Sequence, residues 1–397
     1  MHVLTAKTKN GAKVCLADGY SRQTLQTWRS SEEFFCPVCG GKMMLKLGER
    51  KIFHFAHLKD ACEESSFERE SESHLSGKLA LFDWLKTQGI QPAMEYYDPV
   101  IRQRPDIAFH FNGFRYAIEF QCSAIPEDLF MKRTNTYLSA GYIPLWIPEG
   151  SHLSRKQENT VALSGFEYLF LRTSPGNPGY IPYFCSSQGL FHIVQSIFPY
   201  SPSKAFARIE TKKLNGLTID RLIDPGPPAL AVLPFWHDKL ARSKLSIGAN
   251  PKTPYMRFLK ELYRAGMNIF LLPPEIGLPG TKAAAISTYP VIWQSYVVLD
   301  VLLGKGEGSV VTESEAAACL SLRAGKGDIR TRPVPLAAGF SLQEAAAEYL
   351  SLLSLAGVLV QKGDGVYEIR RKLDFPKTAS EQIENESAFR KAFPASR

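Results

Sequence analysis

The sequence lacks the features that mark exported, membrane-spanning and repetitive proteins. Residues 1–17 contain scattered lysines and no apolar core segment, so we expect no signal peptide. No apolar run approaches the length of a bilayer-spanning helix, and no internal repeat is visible. The seven cysteines are odd in number in a long chain without an export signal, which disfavours a disulfide framework. We therefore expect a cytoplasmic protein.

What the chain does contain is a basic excess and enough length for two or three domains. Its 397 residues include 47 Lys and Arg against 39 Asp and Glu, a formal charge of +8. Hydrophobic residues make up 45% and charged residues 22%, the balance of an ordinary globular protein. The positive charge favours a polyanionic partner such as nucleic acid.

A metal-binding pattern lies in residues 1–65, which we expect to form a small zinc subdomain. The spacing C-x2-C-x14-H-x2-H is within the range of a four-ligand zinc site. The candidate ligands are Cys36, Cys39, His54 and His57. A closed shell of four protein ligands leaves no open position, so this zinc would be structural. Two alternatives stay open: Cys62 replaces one histidine, or the Cys-x-x-Cys is a chance pattern.

Residues 66–200 are predicted to form one α/β domain. The periodicity and turn signals predict a helix at 66–86, strands at 94–100, 106–111 and 114–122, a helix at 126–140 and a strand at 142–147. The resulting order is α-β-β-β-α-β. Residues 150–200, rich in Pro, Ser and Gly, are expected to be irregular, with a boundary at 196–203.

The hairpin inside this domain carries the most specific signal. Asn112-Gly113 between two β-rich runs predicts a two-residue turn, and counting back along both strands pairs Asp106 with Glu119. Two carboxylates facing each other repel, and oxygen ligands of this kind suit Mg²⁺ or Mn²⁺. The alternative is an exposed sheet face on which Arg104 and Arg115 are the partners of the two acids.

The first helix of the domain offers further candidates. Glu72 falls on the same stripe as Leu75 and Leu79, where a buried carboxylate is costly unless it is paired or metal-bound. Its alternative is an exposed position in the first turn, favoured by the helix dipole. His74 and Lys78 lie one turn apart on a neighbouring stripe.

Residues 201–375 are predicted to be mainly helical. A capping box at 341–344 opens a helix, and a hairpin follows at 358–371. Helix and hairpin together make 335–371 a candidate winged helix, whose wing would contact either nucleic acid or a partner domain. Residues 376–397 are expected to form a frayed, charged tail.

Several of these segments together resemble the CoiA competence protein family. They are the amino-terminal Cys-x-x-Cys…His-Phe-Ala-His and the segments 70–78, 103–106, 117–123, 133–137 and 145–147. The resemblance implies a bacterial cytoplasmic protein needed for chromosomal integration of imported single-stranded DNA. It also implies a middle domain of the PD-(D/E)xK restriction-endonuclease-like fold, whose core has the order α-β-β-β-α-β.

By this resemblance, Asp106 and Glu119 would bind Mg²⁺, and Glu72 and His74 match the helix motif whose acid often completes the metal shell. Gln121 stands where the superfamily usually has a lysine that orients or activates the attacking water. Glutamine cannot supply that positive charge. Lys78 or Lys132, reaching in from a helix, would then have to provide it.

These observations support two functions. A third, weaker possibility is a purely structural scaffold stabilised by zinc. The first is a metal-dependent DNA nuclease that processes recombination intermediates, with single-stranded or branched DNA as substrate. The second is a catalytically inactive mediator that uses the fold to bind DNA and assist a RecA-type recombinase. The candidate DNA contacts are Lys78, Arg115, Lys132, Arg133 and Tyr137.

Overall fold

The computed structural model describes residues 2–49, 51–58, 71–157, 159–227, 233–250 and 253–393. The chain divides into two compact units. The first comprises Met1–Leu153, Ile181–Ile193 and Glu210–Pro225, and the second comprises Ser154–Tyr180, Val194–Ile209 and Gly226–Arg397. Within the described ranges, every helix is too short or too polar to cross a bilayer.

The α-helices and β-strands are numbered in chain order. The helices are α1 (Arg22–Ser31), α2 (Glu72–Thr87), α3 (Glu127–Ser139), α4 (Gly165–Leu169), α5 (Ile219–Ile223), α6 (Leu233–Gly248), α7 (Met256–Arg264), α8 (Pro290–Val297), α9 (Glu313–Gly325), α10 (Leu342–Leu355) and α11 (Ala379–Ala392). The strands are β1 (His2–Val3), β2 (Thr5–Thr8), β3 (Lys13–Cys15), β4 (Phe34–Phe35), β5 (Lys42–Lys46), β6 (His54–His57), β7 (Ala93–Met94), β8 (Ile107–Phe111), β9 (Phe114–Gln121), β10 (Tyr142–Pro148), β11 (Ser154–Gln157), β12 (Thr160–Ala162), β13 (Arg172–Ser174), β14 (Asn177–Cys185), β15 (Leu190–Ser201), β16 (Lys204–Lys213), β17 (Val310–Thr312), β18 (Leu359–Gly363) and β19 (Val366–Ile369).

The amino-terminal part of the first unit is built on a six-stranded sheet of order β1-β6-β5-β4-β2-β3. Alternation along β5 buries Met43 and Leu45 and exposes Lys42, Met44 and Lys46. With Phe34 and Phe55 they belong to one buried apolar cluster. The sheet supplies the framework on which the cysteines and histidines are placed.

The middle of the first unit has the predicted order α2, β7, β8, β9, α3, β10. Its four strands form the sheet β10-β9-β8-β7, in which β10 runs parallel to β9 and the other pairs are antiparallel. Helix α2 packs closely on β9 at Gly77. The distance shows this: a Cβ at Gly77 would lie only 2.0 Å from Cε1 of Phe120. Helix α3 begins at Glu127, and Gly141, in the left-handed region at φ 75°, follows its end.

The first strand of this sheet is shorter than predicted. Residues 94–100 were expected to be extended, but β7 ends at Met94. The next residue, Glu95, has φ 48°, a left-handed conformation that costs a non-glycine residue free energy. A network of hydrogen bonds to the Glu95 carboxylate, described below, offsets this cost.

The prediction that residues 150–200 are irregular is wrong. This stretch contains β11 to β15, which with β16 form a six-stranded sheet of order β11-β12-β16-β15-β14-β13. Three of these strands have residues in both units. The expected boundary at 196–203 covers the second half of β15, and Ser196, in the middle of this strand, has φ 53°. Proline and glycine in these strands masked the extended pattern.

The second unit contains the predicted helix and hairpin near its carboxyl end, and of the predicted capping box it shows the Ser341 cap. Ser341 caps α10 by accepting a hydrogen bond from the Glu344 amide, and β18 and β19 form the hairpin. Strand β17 pairs with β19 to complete a three-stranded sheet. The order α8-β17-α9-α10-β18-β19 agrees with the winged-helix interpretation, which stays a prediction.

The expectation of a frayed tail is wrong for its described part. Residues 379–392 form α11, with Thr378 accepting a hydrogen bond from the Glu381 amide as its cap. Phe389 is 8% exposed and belongs with Phe393 to the main apolar core of this unit. Two apolar residues at helical spacing are sufficient to anchor a segment that is otherwise charged.

Candidate functional site

A cluster of metal-ligating side chains lies in the amino-terminal sheet. One ligand atom each from Cys36, Cys39 and His57 lies within 4.8 Å of the other two. The Sγ of Cys39 is 3.4 Å from Nε2 of His57. The amide of Val38 donates to the Cys36 sulfur and the amide of Gly41 donates to the Cys39 sulfur, each at 3.4 Å. Two thiolates and an imidazole form a donor set that suits a zinc-type ion.

His54 is not part of this cluster, which corrects the predicted ligand set. His54 and His57 lie three residues apart on β6, and side chains at odd spacing point to opposite faces of a strand. The Nδ1 of His54 instead lies 2.8 Å from the Ile52 carbonyl oxygen. The spacing H-x2-H therefore does not bring two histidines together on one face of a regular strand. The alternative ligand, Cys62, lies outside the described residues.

Asp106 lies at the start of the β8–β9 hairpin and accepts hydrogen bonds from both elements beside it. Its Oδ2 accepts from the Phe120 amide at 2.9 Å and is 3.0 Å from Nε2 of His74. Its Oδ1 is 3.6 Å from Nζ of Lys78. Burial opposes ionisation, but His74 and Lys78 hold the pKa of this carboxyl well below its ordinary value. Asp106 is therefore ionised at neutral pH.

Glu119 is buried on the side of the sheet that α3 covers. Its Oε1 forms an ion pair with Arg133 and accepts a hydrogen bond from the Tyr137 hydroxyl. Burial raises the pKa of Glu119 to about 7; Arg133 opposes this shift, and the nearby Asp106 carboxylate adds to it. The main cause of this shift is the loss of hydration of the carboxyl group on burial.

The predicted hairpin register is confirmed, with one difference at the acids. The ladder runs from Phe111↔Phe114 to Ile107↔Ile118, so the next pair in register would be Asp106 and Glu119. The ladder ends before that pair, and the Asp106 carboxylate there accepts a hydrogen bond from the Phe120 amide of β9. The two acids also have separate cationic partners, one set on α2 and one on α3. Neither set includes Arg115.

Lys78 links the site to the amino-terminal sheet through a residue that the sequence did not indicate. Its ammonium group is fully buried and 2.5 Å from Oε1 of Glu95. Glu95 also accepts hydrogen bonds from the amides of Leu4 and Thr5 and from the Thr5 hydroxyl, all within 3.1 Å. The sequence signal for this residue is the position of Glu95 among apolar and aromatic residues at 94–97. A carboxylate buried in such a segment must find hydrogen-bond or ionic partners.

The remaining predicted catalytic residues lie at the edge of this cluster. Glu72 is exposed in the first turn of α2, as the helix-dipole alternative expects. Gln121 is half-buried and its Nε2 donates to the Ser123 carbonyl at 2.7 Å. His74 contacts Asp106 from α2, and Lys78 approaches the same carboxylate from one turn further along the helix. Helix α2 therefore presents His74 and Lys78 to the acid, while Glu72 faces solvent.

The predicted DNA contacts differ widely in exposure. Lys132 is exposed on α3, and the Arg115 side chain is 42% exposed beside Asp98 and over the Tyr142 ring. The Arg133 side chain is 20% exposed and pairs with Glu119. Lys78 and Tyr137 are fully buried, so in this conformation they bind carboxylates and are not accessible to a polyanion.

The fold and these residues define a protein with a mixed α/β domain and an amino-terminal Cys/Cys/His cluster. Comparison with known proteins agrees. Sequence models of the CoiA competence protein match residues 17–65 (N-terminal domain), 70–227 (nuclease-like domain) and 240–383 (C-terminal domain). The chain belongs to the CoiA competence protein family.

A curated relative supports this assignment over most of both chains. Competence protein CoiA from Bacillus subtilis (strain 168) is 29% identical over 344 residues, which cover 85% of this chain and 90% of the relative. No solved structure shows a significant match.

Proposed function

We propose that this competence-family protein is a metal-dependent nuclease that cleaves phosphodiester bonds in single-stranded or branched DNA during recombination of imported DNA. The observation that carries the proposal is the meeting of Asp106, Glu119, His74 and Lys78 around the end of one hairpin. The element order around them is that of the PD-(D/E)xK core. The basic excess of +8 suits a polyanionic substrate.

Asp106 and Glu119 are the residues that would hold Mg²⁺ or Mn²⁺. They offer hard oxygen donors on adjoining strand ends, and a divalent ion there would favour the ionised form of the buried Glu119 carboxyl group. When bound, such an ion supplies an activated water and neutralises charge on the phosphate.

Lys78 is proposed to replace the lysine that Gln121 does not provide. Its ammonium group comes from α2 and not from β9, yet it lies 3.6 Å from Asp106. Glu95 holds it in place, and His74 fixes the other Asp106 oxygen. A positive charge therefore lies close to Asp106, although Gln121, at the position where the superfamily usually has a lysine, is uncharged.

A second function is favoured by one specific observation. Both acids already have protein cations as partners: His74 and Lys78 for Asp106, and Arg133 for Glu119. Such pairing stabilises the fold without a divalent ion. In this alternative the chain binds DNA through exposed cations such as Lys132 and Arg115 and assists a recombinase without cleaving the strand.

We further propose that Cys36, Cys39 and His57 hold a structural zinc ion. Gly41 permits the close approach of these ligands, because a Cβ there would lie 3.2 Å from the Cys39 sulfur and 3.5 Å from Cδ2 of His57. Three protein ligands leave a fourth position, for which Cys62 is the candidate that the sequence supplies.

Cleavage assays on acid variants separate the two functions. Asp106→Ala and Glu119→Ala should each abolish Mn²⁺-dependent cleavage of single-stranded and branched DNA, whereas Lys86→Gln, an exposed change on α2, should not. Gln121→Lys should accelerate cleavage, since it adds a second positive charge. If the native chain and Gln121→Lys are both inert on every substrate while DNA binding is intact, the nuclease proposal is wrong and the mediator takes its place.

A further inference from the structure

A cavity of about 230 Å³ lies beside the candidate site, between the loop that precedes β8 and helix α3. Four of the six polar residues that line it are cationic, and among its described lining residues there is no Asp or Glu. The six are Arg102, Gln103, Arg104, Lys132, Arg133 and Thr136. A recess walled by arginines and a lysine is complementary to a compact anion of high charge.

The loop wall of the cavity is held in a specific conformation. Arg102 has φ 53°, a left-handed conformation that is unfavourable for arginine and persists only where the surroundings impose it. Residues on either side impose it: the Asp98 amide donates to the Gln103 carbonyl at 2.8 Å. The Gln103 side-chain amide donates to the Arg133 carbonyl at 3.4 Å, which connects the loop to α3.

The charges of this cavity are only partly neutralised by the protein. Arg133 pairs with Glu119. Arg102 and Lys132 are exposed, and within the part of the chain that the structure describes neither forms an ion pair with a carboxylate. The buried Oε1 of Gln103 also has no hydrogen-bond partner among the described residues. The cavity thus has polar groups whose partners would come from a ligand.

We propose that this cavity binds the terminal phosphate of a DNA strand, an inference that rests on the proposed action on DNA. A terminal phosphomonoester carries about −1.5 to −2 charge and three strong acceptor oxygens at neutral pH. An internal phosphodiester carries a single charge and is flanked by a sugar on each side, so it fits a surface groove better than a recess. Arg133 belongs to both the cavity and the Glu119 pair, so a strand end bound here lies next to the acids.

Binding measurements without any divalent ion test this inference. Fluorescence anisotropy of the full-length chain would compare one internally labelled single strand carrying a 5′-phosphate, a 3′-phosphate or only hydroxyl ends. One phosphorylated strand should bind about tenfold more tightly than the hydroxyl strand, because its extra charge forms charge-assisted hydrogen bonds. The Arg102→Gln/Lys132→Gln variant should lose this preference while retaining its thermal unfolding midpoint.

The matched control is Lys46→Gln/Lys86→Gln, which removes the same charge from exposed positions outside the cavity. It should weaken binding of all three strands but keep the end preference. A native preference below threefold, a preference that survives in Arg102→Gln/Lys132→Gln, or its loss in the control would each overturn the inference. If the double variant does not fold, Arg102→Gln alone gives the same comparison. These experiments measure binding and not cleavage. Their outcome therefore does not decide the proposed nuclease activity, which the cleavage assays on the acid variants test separately.

Discussion

At the scale of single residues, Lys78 contributes a positive charge to a part of the protein where its side chain has no exposed surface. It lies between Glu95 and Asp106, at 2.5 and 3.6 Å. Removing one partner of a buried ion pair leaves an uncompensated charge, which costs about 3–5 kcal/mol. Lys78→Met should therefore lower the free energy of unfolding by about that amount in urea denaturation.

The double variant Lys78→Met/Glu95→Gln provides the control for this prediction. It removes both charges of the closer pair, so it should be more stable than Lys78→Met alone. A cost below about 1 kcal/mol for Lys78→Met would show that the ammonium group does not compensate the two acids.

Lys244 gives the second unit a pH-dependent stability. Burial lowers its pKa from 10.5 to about 8, opposed by Glu386, and its Nζ donates to the Leu272 carbonyl at 3.3 Å. Between about pH 8 and 10.5 the unfolded chain binds this proton and the folded chain does not, so stability rises with pH. Lys244→Met should flatten this rise in denaturation curves measured across that range. An unchanged slope would contradict the assignment.

The two acids illustrate how much of the site the sequence predicts. Asn112-Gly113 defines the turn, and the turn defines the register that brings Asp106 and Glu119 to adjoining strand ends. Their partners are not predictable in the same way. Lys78 and Arg133 reach the acids from other elements, and Glu95 in turn pairs with Lys78. The placement of all three depends on packing that local patterns do not encode.

At the scale of elements, the packing of α2 on β9 positions the α2 side chains of the site. Gly77 is the contact point, since a Cβ there would lie 2.0 Å from Cε1 of Phe120. Gly77→Ala should force the helix away from the sheet and destabilise the protein by about 1–3 kcal/mol. It should also reduce any DNA cleavage, because His74 and Lys78 would move with the helix.

The control for Gly77→Ala is Gly325→Ala, another helical glycine, at the end of α9 with open space around its Cβ position. That change should be neutral or slightly stabilising, because alanine has the higher helix propensity. Equal thermal unfolding midpoints for the two variants would contradict the close packing of α2.

Elements with strong local signals were predicted correctly, and those that depend on distant partners were not. The Ser341 cap of α10, the Pro126 start of α3 and the Asn112-Gly113 turn each depend on residues that are close together in the sequence. Strand β14 contains proline and glycine, β15 contains a proline, and both are stabilised by neighbours in a six-stranded sheet. Helix α11 depends on Phe389, whose burial needs the core of the second unit.

At the scale of the whole molecule, we predict that the Cys/Cys/His cluster binds one metal ion per chain. Elemental analysis of purified protein should find one zinc per chain, and Cys36→Ser/Cys39→Ser should lose it together with thermal stability, since structural zinc contributes folding free energy. Cys122→Ser, a cysteine outside the cluster, should keep the metal. Zinc retained in the double variant, or absent from the native protein, would refute this site.

The central claim is that Asp106 and Glu119 together bind a divalent ion. The most direct measurement is anomalous diffraction from crystals soaked in Mn²⁺, with Asp106→Asn crystals as the control. We expect one anomalous peak coordinated by both carboxylates in the native protein and no peak at this position in the variant. No peak in native crystals, with Arg133 still paired to Glu119 and Lys78 beside Asp106, would contradict the claim and leave the site a charge-paired, non-catalytic one.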